Sequence, residues 1–65
     1  MKLIKFETLA HDIVYINPEK VTSVISDDAL TTCTIVTTNG DEYHINENAE
    51  SAIDKLVEYT PKTHY

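Results

Sequence analysis

Cys33 and His44 are the residues whose types could support covalent chemistry, since a histidine beside a cysteine can activate the thiolate as a nucleophile. They lie in β-prone segments on either side of Asn39-Gly40, a dipeptide typical of two-residue hairpin turns. Counting outward from that turn places Cys33 opposite Asn46 and His44 opposite Ile35. Cys33 and His44 are therefore two residue pairs apart along the hairpin. We therefore predict no nucleophilic pair and interpret Cys33 as a small buried apolar residue.

The other polar side chains also lack the spacing of catalytic, cofactor or metal sites. No elbow-like motif surrounds the serines, and a single glycine, Gly40, leaves no glycine-rich loop for a phosphate. The histidines are too scattered to suggest a metal site, and the acidic residues near turns are expected to be solvated. We predict a non-enzymatic protein without cofactor or metal. The residues considered are Ser23, Ser26 and Ser51; His11, His44 and His64; and Asp27, Asp28, Asp41 and Glu42.

Length and charge narrow the class of protein further. The 65 residues form a single domain, residues 1–65, and one cysteine cannot form an internal disulfide. The net charge of −6, with no arginine, argues against direct binding to nucleic acid or to an anionic membrane. No apolar stretch approaches the roughly 18 residues of a membrane span, and no signal peptide is recognisable. We expect a small acidic protein of the cytoplasm.

The first 46 residues have the hydrophobic pattern of β-strands. Alternating or β-branched segments are separated by turn-forming residues such as Asn17-Pro18 and Asn39-Gly40. The threonine-rich segment before Asn39-Gly40 gives the clearest strand signal, and the chain returns after it with Tyr43 and Ile45 on one face. The pattern predicts strands at residues 3–8, 13–17, 20–26, 31–38 and 42–46.

After residue 46 the period of the hydrophobic pattern changes from two residues to 3.6 residues. This change predicts an amphipathic helix over residues 49–60. Asn46 or Asn48 caps its start, and Pro61 ends it. One stripe of this helix is apolar and is expected to pack on the sheet through its three largest members. These are Ile53, Leu56 and Val57, and the rest of the stripe is Ala49, Ala52 and Thr60. The sequence thus predicts an α+β fold, an antiparallel β-meander of four to five strands with one C-terminal amphipathic helix.

The segment from Ile13 to Ile16 is apolar at every position. It therefore has more apolar surface than one small core can cover. Such a strand either packs its second face against another copy of the chain or pairs with that copy at a sheet edge. Tyrosine suits these contacts because it joins a rigid ring to a polar tip. We therefore predict a homodimer or higher oligomer, with an interface made by Ile13, Val14, Tyr15, Ile16 and Tyr59.

Two segments of the chain resemble the small flagellar and swarming-motility proteins of the FlbD type, and also similar short uncharacterised phage proteins: VYINPEKVTSV and TIVTTNGDEYHINENAESAIDKL. The resemblance covers about residues 15–56, with an Asn-Pro segment before a strand, a threonine-rich strand entering an Asn-Gly turn, and an acidic helix. It implies a similar fold and supplies no site residues. The chain departs from the pattern in its first turn, where Leu9-Ala10-His11-Asp12 stands in place of an expected glycine.

These observations favour a binding protein over an enzyme. The leading interpretation is a small acidic regulatory or adaptor module that binds a protein partner as a homo-oligomer. The alternative is a phage-encoded inhibitor of host defence, which blocks a host protein or sequesters a small signalling ligand. A variant of that alternative uses the acidic side chains to mimic nucleic acid. Genome neighbourhood, a flagellar operon against a phage accessory region, separates the two interpretations.

Overall fold

The computed structural model describes residues 3–59, in which two antiparallel sheets precede a helix, so the predicted α+β fold with a β-meander-like arrangement is confirmed. Within these residues no helix is long and apolar enough to cross a membrane. The elements are β1 (Ile4–Glu7), β2 (Ile13–Ile16), a 3₁₀ turn (Pro18–Lys20), β3 (Val21–Ser26), β4 (Cys33–Thr37), β5 (Glu42–Ile45) and α1 (Ala49–Tyr59).

The two sheets meet at the end of β1. β1 pairs with β2, and β4 lies between β3 and β5. Just beyond β1, Thr8 forms an antiparallel bridge with Ile45, and the Asn46 N–H donates to the Glu7 carbonyl at 2.9 Å. The strands therefore follow the spatial order β2-β1-β5-β4-β3. Among the described residues, β2 and β3 each keep one edge without a neighbouring strand.

The β4–β5 hairpin turns through three residues, not through the two that the sequence predicted. The Thr37 N–H donates to the Asp41 carbonyl at 3.0 Å, and the Gly40 N–H donates to the Thr37 carbonyl at 2.9 Å. Gly40 has φ +86°, whereas Asn39 is not among the residues with positive φ. The predicted two-residue turn is therefore wrong, since an Asn-Gly turn of that length takes the type I′ form and needs positive φ at both central residues. The observed turn needs one left-handed residue, which glycine supplies.

The extra turn residue shifts the hairpin register by one position. Cys33 lies opposite Ile45 and Ile35 opposite Tyr43, whereas the two-residue turn would have paired each of them one position further along β5. A shift of one residue exchanges the faces of a strand relative to its partner. The observed register thus gathers the apolar side chains of both strands on the core side of the sheet, with Tyr43 half-buried there.

The β1–β2 hairpin repeats this turn without a glycine. The Thr8 N–H donates to the Asp12 carbonyl at 2.8 Å, and the His11 N–H donates to the Thr8 carbonyl at 2.9 Å. His11 takes the left-handed position with φ +68°. Such a conformation is uncommon outside glycine, although histidine adopts it more readily than most residues. Histidine therefore takes the place of the expected glycine, and the turn still has one residue in the left-handed conformation.

The core lies between the two sheets and α1. It is built from side chains on alternate positions of the strands and from the inner side of the helix. Half-buried Val14, Val21, Val24, Tyr43 and Ala49 pack around it. The buried members are Ile4, Phe6, Ile16, Cys33, Ile35, Ile45, Ala52 and Leu56.

α1 docks on the sheets through one edge of its predicted apolar stripe. Ala52 and Leu56 are buried, and Ala49 is half-buried beside them. Ile53 and Val57 are 42% and 52% exposed, so their predicted part in docking the helix is wrong. The helix is rotated about its axis relative to the orientation expected from the sequence.

Contacts of Glu47 account for this rotation. Its carboxylate accepts hydrogen bonds from the Ser51 hydroxyl and from Lys55 Nζ, the latter at 3.0 Å. Lys55 Nζ also lies 5.4 Å from the centre of the Phe6 ring, where a cation is attracted by the π-electrons. Asn48, one of the two predicted caps, accepts the Ser51 N–H at 2.7 Å. These contacts hold the Ser51–Lys55 side of α1 against β1 and turn the opposite side toward solvent.

Candidate functional site

The two residues with nucleophilic potential lie on opposite faces of the β4–β5 hairpin. His44 is exposed, and its Nδ1 lies 3.0 Å from the hydroxyl of Thr34, the residue opposite it on β4. Cys33 is buried among the core side chains. The two therefore form no catalytic pair, and the interpretation of Cys33 as a buried apolar residue is confirmed.

The surroundings of Cys33 suppress its reactivity. Burial raises the pKa of the Cys33 thiol, and the negative charges of Glu47 and Asp27 raise it further. A raised pKa keeps the sulfur protonated at neutral pH, and the protonated thiol is a poor nucleophile. The folded state holds this proton more tightly than the unfolded state does. The resulting stabilisation is fully present below the unfolded-state pKa and is lost as the pH rises through the folded-state pKa.

We expect Ellman's reagent to modify Cys33 about tenfold or more slowly in the folded protein than in guanidinium chloride at neutral pH, because the thiol is both buried and protonated. The measurement is the absorbance of the released aromatic thiol with time. Equal rates in the two solvents would show that the sulfur is accessible and would contradict the burial described here.

The remaining titratable side chains of residues 3–59 include no group of three or more His, Cys, Asp or Glu that could hold a metal ion. His11 Nδ1 lies 3.1 Å from a Glu7 carboxylate oxygen in an exposed pair. Asp28, Asp41 and Glu42 are exposed, in line with the sequence interpretation, whereas Asp27 is half-buried and its carboxylate accepts the Thr32 N–H at 3.5 Å. His64 lies outside the described residues. Exposed apolar side chains of residues 3–59 form the other candidate surfaces for binding.

β2 divides its apolar side chains between the core and the surface. Ile16 is buried and Val14 is half-buried against the core, whereas Ile13 and Tyr15 are 48% and 61% exposed. Of the four predicted interface residues on this strand, Ile13 and Tyr15 are thus the two presented to a partner. Tyr59 is the last residue of α1, and its side chain lies outside the described part of the structure.

Ile13 and Tyr15 also have their backbone hydrogen-bonding groups on the open edge of β2. The bond from the Thr8 N–H to the Asp12 carbonyl fixes which residues of β2 bond to β1. Antiparallel pairs alternate between bonded and non-bonded, so the even-numbered residues of β2 bond to β1. The N–H and C=O groups of Ile13 and Tyr15 therefore point away from β1, toward the edge at which the described sheet ends.

Charged side chains of both signs flank this apolar pair. On β1, Lys5 lies opposite Tyr15 and Glu7 lies opposite Ile13. Leu3, 51% exposed, lies two residues before Lys5 and hence on the same side of the extended chain. We call Leu3, Lys5, Glu7, Ile13 and Tyr15 the β2 surface. It joins an apolar centre to one positive and one negative charge.

A second exposed apolar surface lies along α1, and the sequence analysis missed it. Ile53 and Val57 are one helical turn apart on this surface. Leu30, in the β3–β4 turn, is 70% exposed and shares a depression with the start of α1. That depression is lined by Ser26, Leu30, Asn48, Ala49 and Glu50. We call Leu30, Ile53 and Val57 the helix surface. Its signal in the sequence was a helical stripe wider than a small core needs.

No protein-family model, no curated protein and no solved structure matches this chain.

Proposed function

We propose that this chain is a non-enzymatic regulatory or adaptor module that binds a protein partner and acts as a homo-oligomer joined at β2. The observation that supports self-association is the coincidence, at Ile13 and Tyr15, of exposed apolar side chains with outward-pointing backbone groups. An open strand edge is a template for pairing with another strand, and exposed apolar side chains favour the burial that accompanies pairing. A flagellar or swarming-motility setting, implied by the resemblance of residues 15–56, suits such a module.

Two copies of β2 can pair antiparallel about a two-fold axis centred on Val14. In that register, Ile13 of one subunit bonds through its backbone to the partner's Tyr15, and the reverse bond completes the pair. Each rung then runs from Lys5 through Tyr15 to the partner's Ile13 and the partner's Glu7, given the pairing within each hairpin. Apolar side chains occupy the centre of the four-stranded sheet, and opposite charges lie at its two ends.

Charge balance makes a second copy a suitable occupant of the β2 surface. The whole chain carries a net charge of −6, so most pairs of surfaces on two copies would repel each other. The β2 surface is different because Lys5 offsets Glu7. Oligomerisation also increases the apolar surface that is buried. A chain of 65 residues without an internal disulfide buries only a small core on its own.

The test uses charge pairs placed across the two-fold axis. In the variant Ile13→Lys/Tyr15→Lys, lysine faces lysine in both rungs, and like charges directly opposite each other destabilise a strand pair. In Ile13→Lys/Tyr15→Glu, lysine faces glutamate in both rungs with the same loss of apolar area, and each introduced charge also lies opposite a charge of the other sign on β1. Light scattering at tens of micromolar protein is expected to show an oligomer for the wild type, a monomer for the first variant and recovered association for the second.

The control is Ile25→Lys, which changes an exposed isoleucine on β3 and is expected to leave the oligomer intact. Circular dichroism checks that each variant is folded. A monomeric wild type at tens of micromolar would refute self-association. Dissociation by Ile25→Lys, with the Ile13 and Tyr15 variants still associated, would place the interface elsewhere on the molecule.

A further inference from the structure

The helix surface exposes apolar side chains that the core does not use. Ile53 and Val57 follow each other at a spacing of four residues, which places them one above the other on α1. Both are about half exposed, and on the opposite side of the helix Ser51 and Lys55 contact Glu47, while Lys55 Nζ also lies near the Phe6 ring of β1. The exposure of this ridge is therefore a consequence of how α1 is docked.

Leu30 extends the ridge beyond the N-terminal end of α1. It shares a depression with Ala49 and Glu50, one turn before Ile53. It is 70% exposed and has φ +61°, a left-handed conformation that is a rare outlier for a bulky residue. A large apolar side chain held in solvent by a strained backbone is the kind of outlier from which a binding role is inferred.

A row of carboxylates runs beside the ridge. Glu50, Asp54 and Glu58 recur every four residues on α1, and all three are exposed. Glu50 stabilises the first turn of α1, but like charges four residues apart disfavour a helix, so Asp54 and Glu58 are not explained by the stability of α1. On the other side of the helix, Lys5 and Lys55 line a depression together with Glu7 and Glu47, so charges of both signs are mixed there. The side of α1 that carries the carboxylate row is thus more negative than the side that carries Lys55.

We propose that the helix surface binds a basic amphipathic helix of the protein partner. Apolar residues spaced at i, i+3 or i+4, and i+7 on that helix would cover Leu30, Ile53 and Val57. Lysine or arginine residues beside them would face the carboxylate row and guide association. This inference rests on the proposed function only in taking the chain to be a protein-binding module. It does not require the contact between copies of β2.

A second copy of the chain is a poor occupant of the same surface. Pairing two helix surfaces about a two-fold axis would bring together two rows of carboxylates formed by Glu50, Asp54 and Glu58. Like-charge juxtaposition across an interface opposes association. The β2 surface, where Lys5 offsets Glu7, lacks this obstacle. The two surfaces therefore fit different partners, a second copy at β2 and a basic helix at α1.

The experiment selects ligands from a phage-displayed library of helical peptides on the immobilised full chain. We expect the enriched peptides to be basic, with apolar residues at helical spacing, and a synthetic copy of one of them to bind in calorimetry. Ile53→Ser/Val57→Ser and Asp54→Lys/Glu58→Lys should each weaken its binding about tenfold or more. Leu30→Asn should also weaken it while keeping the turn, since asparagine tolerates the left-handed conformation.

The controls change the same chemistry elsewhere. Leu9→Ser/Ile25→Ser removes two other exposed apolar side chains, and Asp41→Lys/Glu42→Lys reverses two other exposed charges, so both should bind the peptide like the wild type. Peptides without basic character, no enrichment at all, or equal weakening by the control variants would overturn the proposal. The Ile13→Lys/Tyr15→Lys variant separates the two inferences, because it should bind the peptide unchanged whether or not the wild type is an oligomer.

Discussion

Replacing Leu56 with alanine is expected to lower the free energy of unfolding by about 2–5 kcal/mol, the usual range for a buried leucine. Leu56 is 6% exposed and belongs to the core cluster between α1 and the sheets. Alanine would remove most of its side chain and leave a cavity that a small domain can close only in part. Because a core of this size supplies roughly 3–5 kcal/mol, the variant should be largely unfolded at the upper end of that range.

Val57→Ala is the paired control, because the neighbouring residue has a similar side chain and is 52% exposed. We expect it to change the free energy of unfolding by less than about 0.5 kcal/mol. Urea denaturation followed by circular dichroism measures both variants. Equal losses would mean that α1 docks through the whole stripe predicted from the sequence. Intact stability with lost association in Leu56→Ala would instead make Leu56 an interface residue.

The sequence predicts the presence of α1 better than it predicts which side of the helix faces the core. The 3.6-residue period predicted the helix, its start at Ala49 and Leu56 as a docking residue. The period could not decide which edge of a wide apolar stripe faces the core. That choice depends on Glu47, which precedes the helix, and on the Phe6 ring, which is distant in sequence. The contact with Phe6 leaves no local pattern in the sequence, because the two residues are far apart along the chain.

The sequence predicted most strand ends to within about one or two residues. The pairing between strands was harder to predict. Asn39-Gly40 marked the hairpin correctly, yet glycine serves two-residue and three-residue turns equally well, so the register came out one position wrong. The division of β2 into buried and exposed positions required knowing that β1 is its only strand neighbour among residues 3–59. The sequence therefore predicted the apolar excess of β2 and left open whether this strand lies at a sheet edge.

Replacing Gly40 with valine is expected to lower the free energy of unfolding by about 1–3 kcal/mol, because φ +86° is a conformation that β-branched residues resist. A Cβ added at Gly40 would meet no atom within 4 Å. The loss should therefore come from backbone strain alone, without a steric clash against neighbouring residues. Thermal melts monitored by circular dichroism measure it, and an unchanged midpoint would refute the left-handed turn at this position.

The β1–β2 turn allows the converse substitution, since His11 holds the equivalent position at φ +68° without being a glycine. His11→Gly removes a strain of roughly 1–2 kcal/mol and adds the conformational entropy of glycine, so we expect a net gain of up to about 1 kcal/mol. The substitution also removes the exposed pair with Glu7, whose atoms lie 3.1 Å apart. Such exposed pairs contribute little, and the backbone effect should dominate. A loss of stability in His11→Gly would show that the Glu7 contact, and not the left-handed backbone, determines the energy of this turn.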